Sequence, residues 1–394
     1  FNAVRFVMSR AWLLPEHIAD VLPAQARQLE RQRRRLLDLA AARGFELVIP
    51  PMVEHLESLL SGTGHELDLR TFKLVDQLSG RSLGLRADTT PQAARIDAHL
   101  LNREGVTRLC YCGPVLHARP VGSHATREPL QFGAEIFGHA GLEADLEVQD
   151  LVIEALAVEP GAALCLDLGD ARVLSGVLEG TLVAGQRLDD IVAALSAKDR
   201  SALAPLLEGL PAEVQRALQC LPDLYGGDEV LELARARLPQ KELIRRALDE
   251  LSWIASHLRL AHPELRVGFD LADMSGYAYY SGARFAVFAT GCSDALARGG
   301  RYDEVGSIFG RKRPAVGFSM DLKAWSEQLG GVSCSPAVRV AWGEEPQRRA
   351  AVRRLREQGQ TVVFHYPGAP VATDGVPCDR ELVEVAGQWL VRAL

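Results

Sequence analysis

Residues 127–138, REPLQFGAEIFG, carry the alternation that decides the fold. Because residues two apart in a β-strand share a face, the apolar side chains all point one way (Leu130, Phe132, Ala134 and Ile136). Gln131 and Glu135 point the other way, about 13 Å apart along the strand. That span can hold the two ends of one small polar molecule, and Gly133 leaves room for it between them. The alternative is an edge strand with an ordinary solvent face, which this segment taken alone favours.

Neighbouring segments predict an antiparallel hairpin together with further strands and several helices. Residues 108–117 alternate as a second strand, and a Gly/Ser/His-containing loop joins it to 127–137 in a hairpin. Helical periodicity marks further segments, at 23–43, 145–158, 189–260 and 319–328. Additional strands are predicted at 46–49, 265–271 and 277–290. We therefore predict an α+β core over residues 8–332, with a helical insertion at about 189–262.

A small domain is predicted to follow this core. The sequence SCSP at 333–336 is interpreted as a linker. A strand, a helix, a strand and a final amphipathic segment follow, the first three at 337–342, 346–357 and 361–365. This βαβ order implies a small α/β domain at 336–394.

Composition and charge limit the possible partners. Of the 394 residues, 47% are apolar and 24% charged, as in soluble globular proteins. No apolar run approaches the roughly 20 residues that a membrane-spanning helix needs. The net charge of −7 argues against nucleic acid as a partner, since phosphate binding needs clustered Lys and Arg. The arginine-rich run at 31–35 is interpreted as a solvated helix face rather than a nucleic-acid contact.

The cysteines and the first residues indicate the compartment. Seven cysteines are scattered without a CxxC pair, so neither a zinc site nor a disulfide framework is indicated. Residues 1–7 lack the layout of a signal peptide and precede Met8, the expected native start. We expect a reduced cytoplasmic protein without a metal or a cofactor.

Asp88 and Thr90 are candidates for binding an ammonium group. They stand two residues apart before Pro91, so both can present oxygens to the same side. The alternative is that Thr89 or Thr90 merely caps a helix that begins at this proline. Capping is the better interpretation of either threonine taken singly.

Tyr279 and Tyr280 are candidates for lining the same pocket. If they lie in a strand, adjacent residues point to opposite faces, so only one phenol faces the pocket and the other packs in the core. The sequence GGRYD at 299–303 is by itself a turn signal.

Five segments in order resemble the motifs of class II histidyl-tRNA synthetases: 83–92 (LGLRADTTPQ), 127–138, 276–282 (GYAYYSG), 299–303 (GGRYD) and 314–325 (PAVGFSMDLKAW). The resemblance spans roughly residues 13–329 and implies the class II antiparallel sheet. It also implies a histidine-binding site formed by Asp88, Thr90, Gln131, Glu135, Tyr279 and Tyr280.

The resemblance gives each part of that site a role. Asp88 and Thr90 match the residues that meet the histidine amino group, and Glu135 matches the residue that contacts the imidazole. The long helix, short strand and proline at 23–51 resemble the motif that forms the dimer interface, so we expect a homodimer.

Departures from the family pattern exclude synthetase catalysis. The resemblance places arginines that handle ATP or the reacting group at His117, Ala125, Ser275 and Ala324, where this chain has none. Loss of one preorganised donor to a developing charge typically costs about 10²–10³ in rate. We therefore expect no catalytic residues.

A synthetase-like core with a shortened tail resembles the regulatory subunits of ATP phosphoribosyltransferase. The resemblance implies a non-catalytic chain that associates with a short-form catalytic subunit, is required for the first step of histidine biosynthesis, and permits feedback inhibition by histidine. The alternative is a divergent histidyl-tRNA synthetase. A third interpretation, a paralogue that transfers an amino acid or binds RNA, is disfavoured by the net acidity and the short tail.

Overall fold

The computed structural model describes residues 13–60, 64–120, 122, 125–157, 163–183, 185–292, 294–329, 336–368 and 376–394. They form two compact units. Described residues up to 329, apart from 22–28, form the larger unit, and residues 22–28 with 336–394 form the smaller one. Among the described residues, no helix is both long enough and apolar enough to cross a membrane.

The larger unit is built on one large sheet. Its described strands are β1 (Glu46–Leu47), β2 (Val53–His55), β3 (Phe72–Val75), β4 (Ser82–Leu85), β5 (Thr107–Pro114), β6 (Leu130–Phe137), β7 (Leu164–Asp170), β8 (Tyr225–Gly226), β9 (Arg266–Asp270), β10 (Ala283–Ala289), β11 (Ala297–Arg301) and β12 (Ala315–Asp321). The large sheet has the order β1-β5-β6-β12-β11-β10-β7-β9-β8, and β2-β4-β3 form a small separate sheet. Neighbouring strands from β5 through β7 are antiparallel.

Helices pack against both faces of this sheet and fill the connections. Up to residue 329 they are α1 (Pro23–Ala42), α2 (Leu56–Leu60), α3 (Gly64–Arg70), α4 (Thr90–Arg95), α5 (Leu142–Leu156), α6 (Ala171–Leu178), α7 (Gln186–Ser196), α8 (Arg200–Leu206), α9 (Ala212–Cys220), α10 (Glu229–Arg237), α11 (Glu242–Ala261), α12 (Val305–Ile308) and α13 (Leu322–Gln328). A π-helical turn, Ile96–Leu101, continues α4.

The predicted hairpin is confirmed as β5 and β6. Its apolar face lies in the main core, where Phe132 and Ile136 pack in the same cluster as Val148 and Leu151 of α5. Full burial of such a side chain contributes about 1.5–3 kcal/mol, so the alternating pattern fixes which face turns inward. The predicted α+β class, an antiparallel sheet flanked by helices, is confirmed.

Two local predictions in the larger unit are wrong. Residues 275–279 form a turn, so the strand predicted from 277 begins only at Ala283. Gly276 has a positive φ of 71°, and its carbonyl accepts from Tyr279 N at 2.8 Å. The GGRYD segment begins in strand β11 rather than in a turn. A Cβ at Gly299 would come within 2.7 Å of the Phe285 ring, so this glycine allows close packing inside the sheet. Helix α6 was not predicted, whereas α7 to α11 occupy most of the segment 189–260 in which helices were predicted.

The smaller unit contains β13 (Ala337–Ala341), α14 (Pro346–Glu357), β14 (Val362–His365), β15 (Cys378–Val385) and β16 (Gln388–Ala393). β13 and β14 are parallel with α14 between them, as the βαβ prediction requires. The final segment is an antiparallel hairpin, β15 and β16. Its sheet has the order β14-β13-β15-β16. Residues 333–335 of the expected linker lie outside the described residues.

Candidate functional site

A cavity of about 450 Å³ opens over the polar face of the large sheet. Five of the six predicted site residues line it: Asp88, Thr90, Glu135, Tyr279 and Tyr280. Gln131 lies behind them. Its Nε2 donates to Asp88 Oδ1 at 2.7 Å, and its Oε1 accepts from the Thr89 backbone N–H at 2.9 Å. Gln131 therefore orients Asp88 rather than facing the cavity.

Glu135 is the most deeply buried charged group of the cavity, with no exposed surface. Its Oε1 accepts from Thr90 Oγ1 at 3.0 Å and from the Tyr111 hydroxyl at 2.9 Å, and its Oε2 accepts from the Tyr302 hydroxyl. Burial raises the pKa of this carboxyl to about 8, although the three hydroxyl donors oppose the rise. The group is therefore largely protonated at pH 7.

The space above Gly133 does not receive a ligand, contrary to the sequence prediction. Tyr111 pairs with Gly133 across the hairpin, and a Cβ at Gly133 would collide with the Tyr111 hydroxyl. The glycine thus admits the phenol that holds Glu135. The Glu135 carboxylate itself leans over Gly317 of β12, where a Cβ would collide with it.

The helix-capping alternative for the threonines is wrong. Thr89 is the N-cap of α4, but its side chain makes no capping bond, and the Thr90 hydroxyl is bonded to Tyr111 and Glu135. Asp88 takes the local role instead, since its Oδ1 accepts from Thr90 N at 3.2 Å.

Both adjacent tyrosines face the cavity, because they lie in a turn and not in a strand. The rings of Tyr279 and Tyr280 meet edge to face at 5.4 Å, and Tyr279 stacks on Tyr302 at 5.0 Å. The buried Tyr279 hydroxyl has no hydrogen-bond partner within the described structure. Burial, with Glu135 and Asp88 nearby, raises its pKa well above 10. The phenol therefore remains a proton donor that a ligand acceptor can satisfy.

The four positions that lack the expected arginines carry no replacement cation. His117 is buried, with Nε2 at 3.0 Å from the Ala87 carbonyl oxygen, and burial lowers its pKa, which keeps the imidazole neutral at pH 7. Ser275 donates to Asp273 Oδ1 at 2.6 Å. Ala125 and Ala324 offer only methyl groups.

Several residues at the cavity were not predicted from the sequence. Tyr302 and three arginines, Arg70, Arg284 and Arg298, line the cavity. Tyr302 donates to Glu135 from the cavity wall, and Tyr111 donates to it from outside the cavity. Each arginine stands at a polar position of an alternating strand, Arg284 in β10 and Arg298 in β11. Only the pairing of the two strands brings both side chains to the cavity.

The fold and the cavity define a protein of the class II histidyl-tRNA synthetase type. Residues 17–325 match the family described as histidyl-tRNA synthetase. Residues 335–392 match the family described as ATP phosphoribosyltransferase subunit HisZ C-terminal domain.

Individual relatives make the family assignment more specific. The ATP phosphoribosyltransferase regulatory subunit of Verminephrobacter eiseniae is 57% identical, covering 98% of this chain and all 100% of its own length. A crystal structure described as an ATP phosphoribosyltransferase regulatory subunit/histidyl-tRNA synthetase from Bacillus halodurans has a TM-score of 0.80 at 26% identity, over 92% of this chain and 95% of that one. Histidyl-tRNA synthetase from Nostoc sp. shares the fold, with a TM-score of 0.77 at 21% identity over 97% of each chain. The chain belongs to the family of ATP phosphoribosyltransferase regulatory subunits.

Proposed function

We propose that this chain is the regulatory subunit of an ATP phosphoribosyltransferase and that it binds L-histidine in the cavity. It associates with the short-form catalytic subunit at the first step of histidine biosynthesis and transmits feedback inhibition. The names of its relatives support the assignment. The observation that supports histidine as the ligand is the buried Glu135 carboxyl beside a Tyr279 hydroxyl that has no hydrogen-bond partner in the described structure.

The chemistry of the cavity suits both ends of histidine. An imidazole has one N–H donor and one ring-nitrogen acceptor; Glu135 accepts from the first and Tyr279 donates to the second. Tyr280 closes the side of this pocket. Asp88, held by Gln131, takes the ammonium group, and Thr90 couples that end to Glu135 through its hydroxyl.

The chain has no catalytic activity of its own in this proposal. Adenylate formation needs fixed cations around an anionic phosphorus centre, and the neutral His117 imidazole, Ser275 and Ala324 do not provide them. ATP–pyrophosphate exchange with histidine should therefore stay at the level of a buffer control. Exchange clearly above it would favour the alternative, a divergent histidyl-tRNA synthetase.

The proposed assembly is a homodimer of this chain that binds catalytic subunits. Large apolar side chains are exposed in and beside the first strands, with Ile49 at 83%, Val75 at 69% and Leu78 at 98%, which suits a protein interface. A reduced cytoplasmic location is part of the proposal, since the six cysteines within the described ranges are free thiols.

Reconstitution with the cognate catalytic subunit tests the function. Phosphoribosyltransferase turnover should rise when this chain is added and should fall when histidine is then added. Asp88→Asn should weaken the inhibition and leave the activation intact, because only the ligand loses a charge partner. Asp189→Asn, an exposed aspartate of α7, is the matched control. If light scattering detects no mixed species at micromolar concentrations, the regulatory assignment is wrong.

A further inference from the structure

Two arginines that the sequence did not predict, Arg284 and Arg298, lie side by side in the cavity. Arg284 is on β10 and Arg298 is on β11, opposite Ala286. Because Ala286 is two residues from Arg284, both arginines point to the same face of the sheet. The Arg284 side chain is buried, whereas that of Arg298 is 44% exposed.

Cross-strand pairing places Arg284 in one row with Glu135. Glu135 of β6 pairs with Gly317 of β12. Gly317 pairs with Gly300 of β11, which in turn pairs with Arg284. Directly paired residues point to the same face, and the two glycines between Glu135 and Arg284 have no side chains to fill the space. The row therefore has a carboxyl group at one end and a guanidinium at the other, and the two residues between them contribute no side chain.

The distance along this row from Glu135 to Arg284 matches the length of a free amino acid. The Glu135 carboxylate leans over Gly317, and two strand spacings of about 4.8 Å put Gly317 and Arg284 about 10 Å apart at the backbone. An amino acid with a polar side chain can therefore reach from the Glu135 carboxyl, which lies above Gly317, to the Arg284 guanidinium.

A protein carboxylate already uses this guanidinium. Asp273 Oδ2 is ion-paired with Arg284 Nη2 and lies 3.8 Å from Arg298 Nη1. Arg284 Nη1 also donates to the Ser275 carbonyl oxygen at 2.9 Å. A ligand carboxylate has the same charge and the same planar pair of oxygens as the Asp273 side chain, so it suits the same donors.

We infer that Arg284 and Arg298 form a carboxylate subsite, which takes the α-carboxylate of the bound amino acid in competition with Asp273. The inference rests on the proposed function, because it assigns the end of histidine opposite the imidazole at Glu135. The subsite supplies, from β10 and β11, the cation that is missing at Ser275.

Calorimetric titration of the whole chain with L-histidine and with histamine tests this subsite, since histamine has the same imidazole and amine but no carboxylate. Arg284→Gln should lower the affinity for histidine about 10- to 100-fold, the usual value of a hydrogen bond to a charged group. Arg298→Gln should lower it about fivefold or less, because its guanidinium is more exposed. Neither variant should change the affinity for histamine. Arg245→Gln, which removes an exposed ion-paired arginine of α11, is the matched control.

Asp273→Asn tests the competition with the opposite sign. Removing the internal carboxylate should raise the affinity for histidine and leave that for histamine unchanged. Damage to the fold cannot raise affinity, so this variant and Arg298→Gln decide the matter if Arg284→Gln fails to fold.

The outcomes separate the two proposals. If the wild-type chain does not bind histidine, the proposed function and the subsite are both wrong. If it binds histidine but the arginine variants weaken histidine and histamine equally, or Asp273→Asn fails to tighten histidine binding, the subsite alone is wrong.

Discussion

Glu135→Gln should remove a large part of the pH dependence of folding stability. The folded protein holds the Glu135 proton up to about pH 8, because burial raises the pKa from its ordinary 4.5 to about 8. The unfolded chain releases the same proton near its ordinary pKa. The contribution of this group to stability is therefore fully present below pH 4.5 and is lost as the pH rises through 8. Gln keeps the shape of the side chain and does not titrate.

The size of the effect follows from the two pKa values. Stability falls by about 1.4 kcal/mol per pH unit while only the unfolded chain has lost the proton, and the fall levels off above pH 8. The Glu135 contribution should therefore decrease by about 2–3 kcal/mol between pH 6 and pH 9. Urea-induced unfolding at these two pH values, on wild type and Glu135→Gln, measures this loss directly.

A matched control separates Glu135 from the other titrating groups. Glu327→Gln changes an exposed glutamate of α13 and should retain the wild-type pH dependence. If Glu135→Gln also retains it, the carboxyl ionises near its ordinary pKa, and the argument from burial is refuted.

Three further predictions concern the cavity and its support. Glu135→Gln should weaken histidine binding by about 1.5–3 kcal/mol. It should also reduce feedback inhibition, while activation of the catalytic subunit stays nearly intact. If calorimetry finds unchanged affinity, the regulatory histidine binds elsewhere. Tyr279→Phe removes a buried hydroxyl without a partner, so urea unfolding should show equal or higher stability while histidine binding weakens by about 0.5–1.5 kcal/mol; lower stability would mean that the phenol has a partner in the protein. Asp145→Ala leaves the buried Arg301 without its buried carboxylate partner and should lower the unfolding free energy by about 3–5 kcal/mol. A decrease of less than about 1 kcal/mol in the same urea assay would contradict this prediction.

Local patterns in the sequence predicted the elements of the fold well. The alternation at 127–138 depends only on residues two apart, and the apolar face of β6 lies in the main core as this alternation predicts. The polar face is buried as well, so the alternative of an ordinary solvent face is wrong. The helix at 346–357 is observed as α14 over the same residues, since its periodicity and its proline at the first position are also local signals. The turn at 275–279 was not predicted because a single positive φ at Gly276 overrides the strand-like composition that follows.

The motif resemblance predicted Glu135, Tyr279 and Tyr280, which line the cavity, whereas patterns within one segment predicted only neighbours in sequence. Asp88 and Thr90 are close in sequence, and both line the cavity. Arg284 and Arg298 enter it through pairing between β10 and β11, and Tyr302 reaches Glu135 from 167 residues away. Such register is fixed by the whole sheet and not by either strand, so no pattern within one segment could reveal these contacts.

The glycines explain why the sequence predicted a ligand space in the wrong place. In a sheet, a missing side chain leaves space for whichever neighbour the register brings alongside. Register brings Tyr111 over Gly133 and the Glu135 carboxylate over Gly317, so protein groups fill these two positions. At Gly300 the neighbour is Arg284, which is ion-paired with Asp273 rather than bonded to Glu135. The proposed ligand space therefore lies over β11, between β12 and β10, two strands from the glycine that first suggested it.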